Sequence, residues 1–243
     1  MRRSILRVGA CAATLVAVTS FGVTSAGAED EAPPCTTPSE ATITGSGVIN
    51  GTPGDDIIYG SAGADTINGL DGNDLICGVG GADTIDGGAG DDFILGGLGD
   101  DVIHGGAGDD QIAGGDFSGV PGQPDQKPND GNDQLFGDNG NDFVTGQKGV
   151  DTISGGNGDD QLFGGPGNDT VDGGNGNDLL LGNFGNDTLI GGNGDDLIDG
   201  DNSGDEGPQL DPNANSDTCD GGRGFDTQAF CETTSNIESS FPT

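Results

Sequence analysis

The decisive stretch runs Gly60-Ser61-Ala62-Gly63-Ala64-Asp65-Thr66-Ile67-Asn68, then Gly69-Leu70-Asp71-Gly72-Asn73-Asp74-Leu75-Ile76-Cys77, then Gly78-Val79-Gly80-Gly81-Ala82-Asp83-Thr84-Ile85-Asp86. Laid one above another, the three segments repeat every nine residues, with Gly first and fourth, Asp sixth and an aliphatic residue eighth. The period extends in both directions, from Gly51 to Ala113 and again from Gly131 to Asp199. A fixed period of this kind is a signal of stacked supersecondary units, each unable to bury its apolar side alone.

The sixth position holds Asp56, Asp65, Asp74, Asp83, Asp92, Asp101, Asp110, Asp133, Asp142, Asp151, Asp160, Asp169, Asp178, Asp187 and Asp196, without exception. The eighth position is always Ile, Leu or Val, from Ile58 to Ile198. The three residues around each aliphatic, such as Thr66-Ile67-Asn68, read as a short strand with one buried side chain. The other six read as turn, with glycines at positions one, two and four allowing positive φ and close backbone approach. If two repeats make one right-handed coil, odd and even strands build two parallel sheets whose eighth positions meet inside. The predicted fold is therefore all-β, a right-handed parallel β-roll with two nonapeptides per coil.

The consensus Gly-Gly-x-Gly-x-Asp-x-aliphatic-x is similar to the calcium-binding nonapeptide of the RTX (repeats-in-toxin) family. The resemblance implies Ca²⁺ shared between the turn of one repeat and that of the second repeat following, with the fifteen sixth-position Asp as ligands. Stacking makes the need plain. Asp residues eighteen apart, such as Asp56 and Asp74, would stand on adjacent coils, about 4.8 Å apart, where like charges repel by about 3 kcal/mol at an effective dielectric near 20. A hard cation between them reverses the sign, and turn carbonyls can complete the oxygen shell. Two unbroken files of these Asp would make room for up to about 13 ions. Mg²⁺ suits such a site poorly, because it demands octahedral geometry and sheds water reluctantly. The single His104 falls on an outward ninth position and reads as a surface residue.

Composition agrees. Of 243 residues, 52 are Gly and 42 are Asp or Glu, against 6 Lys or Arg, a net charge of −36 with 30% hydrophobic residues. Such a chain stays disordered unless something neutralises the acid. Nucleic acid, another polyanion, is excluded as a partner, and after the N-terminus no stretch is long and apolar enough to span a membrane.

Residues 1–28 read as a secretory signal: Arg2, Arg3 and Arg7 precede an apolar run from Val8 to Val23, and Ala26-Gly27-Ala28 supplies the cleavage pattern. The pair Arg2-Arg3 resembles a twin-Arg signal, although two Arg near Met1 are common in ordinary basic n-regions. The expected organisation continues with an N-terminal cap segment at 29–50, a first repeat block at 51–116, an insertion loop at 117–130 and a second block at 131–200. An acidic loop and disulfide-closed cap then occupy 201–243. The acids Asp125, Asp130, Asp205, Glu206, Asp211 and Asp217 of the two loops are either outer calcium ligands or solvated. The coil is expected to end at Thr227-Gln228-Ala229, where Gln228 stands in for the buried aliphatic.

Loss of the signal removes Cys11 and leaves Cys35, Cys77, Cys219 and Cys231, an even number in an exported chain. Of three connectivities, Cys35–Cys77 and Cys219–Cys231 is preferred, because it ties each terminal segment to one end of the coil. RTX repeats usually follow a catalytic or pore-forming domain, whereas here about twenty residues separate the signal from the repeats. The expected function is an extracellular, non-enzymatic calcium-binding protein that folds on binding Ca²⁺. The alternative is a calcium-rigidified adhesion, matrix or ice-binding-like surface protein with a cell-surface or matrix partner. A secreted enzyme is the least favoured reading.

Overall fold

In the computed structural model, the described residues are 42–115, 131–201, 218–223, 227–229 and 233–235. They wind into a parallel β-solenoid with no helix. Successive strands alternate between two sheets of ten strands each. Sheet A begins at Ile43–Thr44 and Ile57–Tyr59, and sheet B at Val48–Asn50 and Thr66–Asp71. We call the turns leading into sheet A edge A, and those leading into sheet B edge B.

Each strand pairs in parallel with the one two repeats later, so that Ile67 faces Ile85 and Ile58 faces Ile76. The eighth positions thereby form two inward files. Ile49, Ile67, Ile85, Ile103, Leu135, Ile153, Val171 and Leu189 from sheet B meet Ile58, Ile76, Ile94, Ile112, Val144, Leu162, Leu180 and Ile198 from sheet A, and all are buried. Cys219 takes the inward position opposite Leu189 and joins this core. The core is one side chain deep per strand, as the nonapeptide pattern implies.

The insertion does not break the coil. Ile103 pairs with Leu135 and Ile112 with Val144, a separation of 32 residues in place of the usual eighteen, so the strand register on either side of it is continuous.

Two local expectations need correction. Most strands span six residues, as in Thr152–Asn157, because the ladder continues through the first three positions of the following repeat. Backbone pairing persists there because glycine lets the chain turn the corner while its N–H and C=O groups still meet the neighbouring coil. The coil also does not stop at Gln228: Thr227–Ala229 pairs with sheet A and Thr233–Ser235 with sheet B. Parallel pairing is made by main-chain groups, which do not read the side chain at the eighth position.

The consensus glycines serve two different needs. Second positions turn with positive φ, as at Gly106 (113°) and Gly156 (110°), and all five non-glycine residues with positive φ sit there: Leu70, Val79, Asp138, Gln147 and Asn183. Fourth positions such as Gly90 and Gly158 do the same, at 133° and 134°. First-position glycines have no positive φ in the structure, contrary to the expectation, and their reason lies in the metal site.

Candidate metal centre

All fifteen sixth-position Asp are buried, from Asp74 at 0% exposure to Asp56 at 6%. Each follows a turn and precedes the strand that carries its repeat's aliphatic residue inward, so the carboxylate is carried into the wall of the coil. On edge A the backbone N–H of Asp56 donates to Asp74 Oδ1 at 2.8 Å, and the same bond recurs from Asp74 to Asp92, on to Asp110, Asp142, Asp160, Asp178 and Asp196. On edge B it links Asp65, Asp83, Asp101, Asp133, Asp151, Asp169 and Asp187. Both files cross the insertion unbroken, through Asp110–Asp142 and Asp101–Asp133.

The second oxygen has a different fate. In Asp74, Asp83, Asp92, Asp101, Asp110, Asp142, Asp160, Asp169 and Asp178, Oδ2 is buried without a hydrogen-bond donor. Orphaned buried oxygens at such regular spacing call for an explanation. First-position glycines make the space around them. A Cβ on Gly69 would stand 2.4 Å from Asp74 Oδ2 and 2.3 Å from the carbonyl oxygen of Gly87 on the next coil, and the pattern recurs at Gly78, Gly96 and Gly173. Each such cradle brings together a carboxylate oxygen from one coil and a carbonyl oxygen from its neighbour.

The electrostatics describe an unmet demand for positive charge. Burial pushes the carboxyls up, the backbone N–H bond lowers them, and neighbouring carboxylates raise them further, so that Asp101 and Asp110 reach about 8 and Asp92 and Asp160 about 7. Asp83, Asp142, Asp169 and Asp178 reach about 6, chiefly through burial. A carboxyl raised above its unfolded value of about 3.9 penalises the folded state at high pH, and the penalty fades as pH falls through the folded value. The calcium-free chain is therefore expected to gain β structure when taken from about pH 9 to about pH 5, followed by far-UV circular dichroism. A calcium-free spectrum that loses β structure on acidification would contradict the direction of these shifts.

Donor chemistry fits a hard divalent cation. The donors are oxygens only, and two carboxylates on successive coils flank each interval. Among the described residues no three His, Cys, Asp or Glu converge on one point, consistent with a shell that takes its other oxygens from the backbone. The groups that would hold Ca²⁺ are the sixth-position carboxylates and turn carbonyls such as that of Gly87, with the ion supplying charge neutralisation.

His104 lies on the outer face of sheet B, away from both files. Its Nδ1 is 2.9 Å from Asp138 Oδ2 and its ring stacks on Phe136 with centroids 4.5 Å apart, bracing the strands that flank the insertion. The signal segment, Cys35, Cys231, the insertion Phe117 to Asp130 and the loop acids Asp205, Glu206, Asp211 and Asp217 lie outside the described residues.

Sequence reasoning passed over the fifth position. Asp55, Asn73, Asp91, Asp109, Asn141, Asp159, Asn177 and Asp195 form a second file along edge A, each Oδ1 up to Asn177 accepting the backbone N–H of the fifth-position residue one coil on, at 2.8–3.1 Å. The signal was present, since the fifth position of every second repeat is Asp or Asn, but it shows only when alternate repeats are compared.

Coil, oxygen-lined intervals and paired carboxylate files define a repeat protein of the calcium β-roll class. The RTX calcium-binding nonapeptide repeat profile matches residues 43–76, 50–85, 78–112, 86–119, 129–162, 145–180 and 172–206. The chain belongs to that family. No curated protein matches it.

Proposed function

We propose that this chain is an exported, non-enzymatic calcium-binding protein whose coil folds as Ca²⁺ enters between stacked turns. The observation that carries the reading is the file of buried aspartate oxygens without donors, nine of them in register along the two edges. Binding and folding then share one free-energy change, because the paired turns do not exist in the unfolded chain. Each interval between successive sixth-position Asp is a site, up to about 13 in all, since both files are continuous.

Residues 1–28 are the export signal, 29–50 the N-terminal cap segment, 51–116 and 131–200 the repeat blocks, 117–130 the insertion and 201–243 the C-terminal cap region. The caps are held by Cys35–Cys77 and Cys219–Cys231. Support comes from Cys77 and Cys219, each bonded through its sulfur and six strand spacings apart along the coil, roughly 29 Å, which prevents them from pairing with each other.

The outer faces favour a second reading, a rigid rod that presents one face to an extracellular partner. Sheet B exposes Thr152, Thr170 and Thr188 in register, whereas sheet A carries Phe143 and Phe163 with ring centroids 5.1 Å apart.

The test is a calcium titration of the exported chain by native mass spectrometry and calorimetry, with Mg²⁺ in parallel. The expected result is uptake of many Ca²⁺, approaching one per interval, with little response to Mg²⁺. Uptake of no more than one or two ions, or equal uptake of Mg²⁺, would overturn the reading.

A further inference from the structure

The two edges differ in a way the sixth-position Asp do not show. Along edge A all seven intervals between fifth positions are bridged by a side-chain oxygen accepting a backbone N–H, from Asp55–Asn73 to Asn177–Asp195. Along edge B only three of six are bridged: Asp100–Asn132, Asn132–Val150 and Asn168–Asn186. The reason is residue identity, since Ala64, Ala82 and Val150 offer no acceptor to the next coil.

This ladder runs counter to that of the sixth position. At the fifth position the N–H of the later coil donates to the earlier one, whereas at the sixth the N–H of the earlier coil donates to the later. Two consecutive peptides of an edge A turn are therefore tied in opposite directions along the stack, which holds the spacing between successive carboxylates from both sides.

Edge A of the second block carries a further brace. Asn139, Asn157, Asn175 and Asn193, the third positions of its turns, are joined by Nδ2-to-Oδ1 bonds of 2.8–2.9 Å. The matching third positions on edge B are Lys148, Pro166 and Phe184, which repeat no such amide. Charge acts in the same direction: fifth-position carboxylates number five on edge A, at Asp55, Asp91, Asp109, Asp159 and Asp195, against Asp100 alone on edge B.

We propose that the two calcium files are unequal: the fifth- and third-position side chains of edge A are positioning residues that hold its turns at ligand spacing, so Ca²⁺ loads edge A of the second block first and edge B last. This inference rests on the calcium reading above. It assigns the fifth-position Asp and Asn a role in ordering the sites, not in touching the ion. A net hydrogen-bond contribution of the usual size corresponds to roughly a 2- to 12-fold change in apparent affinity per rung.

The experiment is a calcium titration of the full chain followed by amide hydrogen exchange, read at the turn peptides around Asn141, Asp159 and Asn177 on edge A and around Val150, Asn168 and Asn186 on edge B. Edge A peptides are expected to gain protection at several-fold lower Ca²⁺. Two charge-neutral variants, one on each edge, isolate the brace. Asn141→Ala should raise the Ca²⁺ needed for edge A protection about 2- to 12-fold, whereas Asn141→Asp, which keeps the acceptor and adds a charge, should need no more Ca²⁺ than the parent chain. Val150→Asn, which supplies a missing acceptor, should lower the Ca²⁺ needed at edge B. Simultaneous protection of both edges, with shifts under about 2-fold in these variants, would overturn this inference while leaving calcium binding intact. No protection at any Ca²⁺ would overturn both.

Discussion

Chelation of calcium from the folded protein at neutral pH is expected to abolish most of its β-sheet circular dichroism, and restoring millimolar Ca²⁺ is expected to bring it back. The physical reason begins in the core. The inward core takes one aliphatic side chain per nine residues, while ordering the backbone costs about 1–2 kcal/mol for every residue, and with 52 glycines the unfolded chain is unusually free. The walls of the coil add a further cost, because Asp101 and Asp110 are raised to about 8 by burial and by their neighbours. At neutral pH these files must either take up protons or stay charged in a poorly solvated place. An ion in each interval removes that cost and ties adjacent coils together. A chain that retained its β signal in excess chelator at pH 7 would show that the core and backbone ladders suffice alone.

Replacing Gly185 by Ala is expected to be among the most damaging single substitutions in the chain. Its φ is 142°, and a Cβ there would stand 1.3 Å from the carbonyl oxygen of Gly167 and 2.5 Å from its carbon. Both atoms belong to backbone on the preceding coil, so no side-chain rotation relieves the overlap. The neighbouring coils would have to separate, opening the interval between Asp169 and Asp187, where the Asp169 backbone N–H now donates to Asp187 Oδ1 at 2.8 Å. A loss of more than about 4 kcal/mol is expected, read as a steep rise in the Ca²⁺ needed for folding. Gly54 occupies the same fourth position in the first nonapeptide, yet a Cβ there meets nothing within 4 Å. Gly54→Ala should therefore change stability by less than about 0.5 kcal/mol. Equal effects at the two sites would mean that coil-to-coil approach is not what the fourth-position glycine serves.

That comparison also marks how far the repeat could be read. Asp142 and Val144 are two places apart in the sequence, and this spacing alone assigns one to the turn and the other to the core. Both assignments hold, with Asp142 buried in the wall and Val144 fully buried inside. Gly137, Gly156 and Gly158 look interchangeable as letters, yet Gly137 makes room for Asp142 Oδ2, whereas Gly156 and Gly158 turn the chain with φ of 110° and 134°. Consensus records only that a side chain is absent, and absence has the same spelling for either cause.

By itself the sequence determined the period, the inward aliphatic file, the sixth-position carboxylates and the all-β coil, because each of these is repeated locally and needs only a strand, a turn and one buried side chain. Only the tertiary structure decided what depends on stacking. It carries both Asp files past the insertion, extends the coil beyond Gln228, and makes Asn141 a rung where Val150 is none. These features join residues 15 to 32 positions apart, and such partners meet only after the coil has closed.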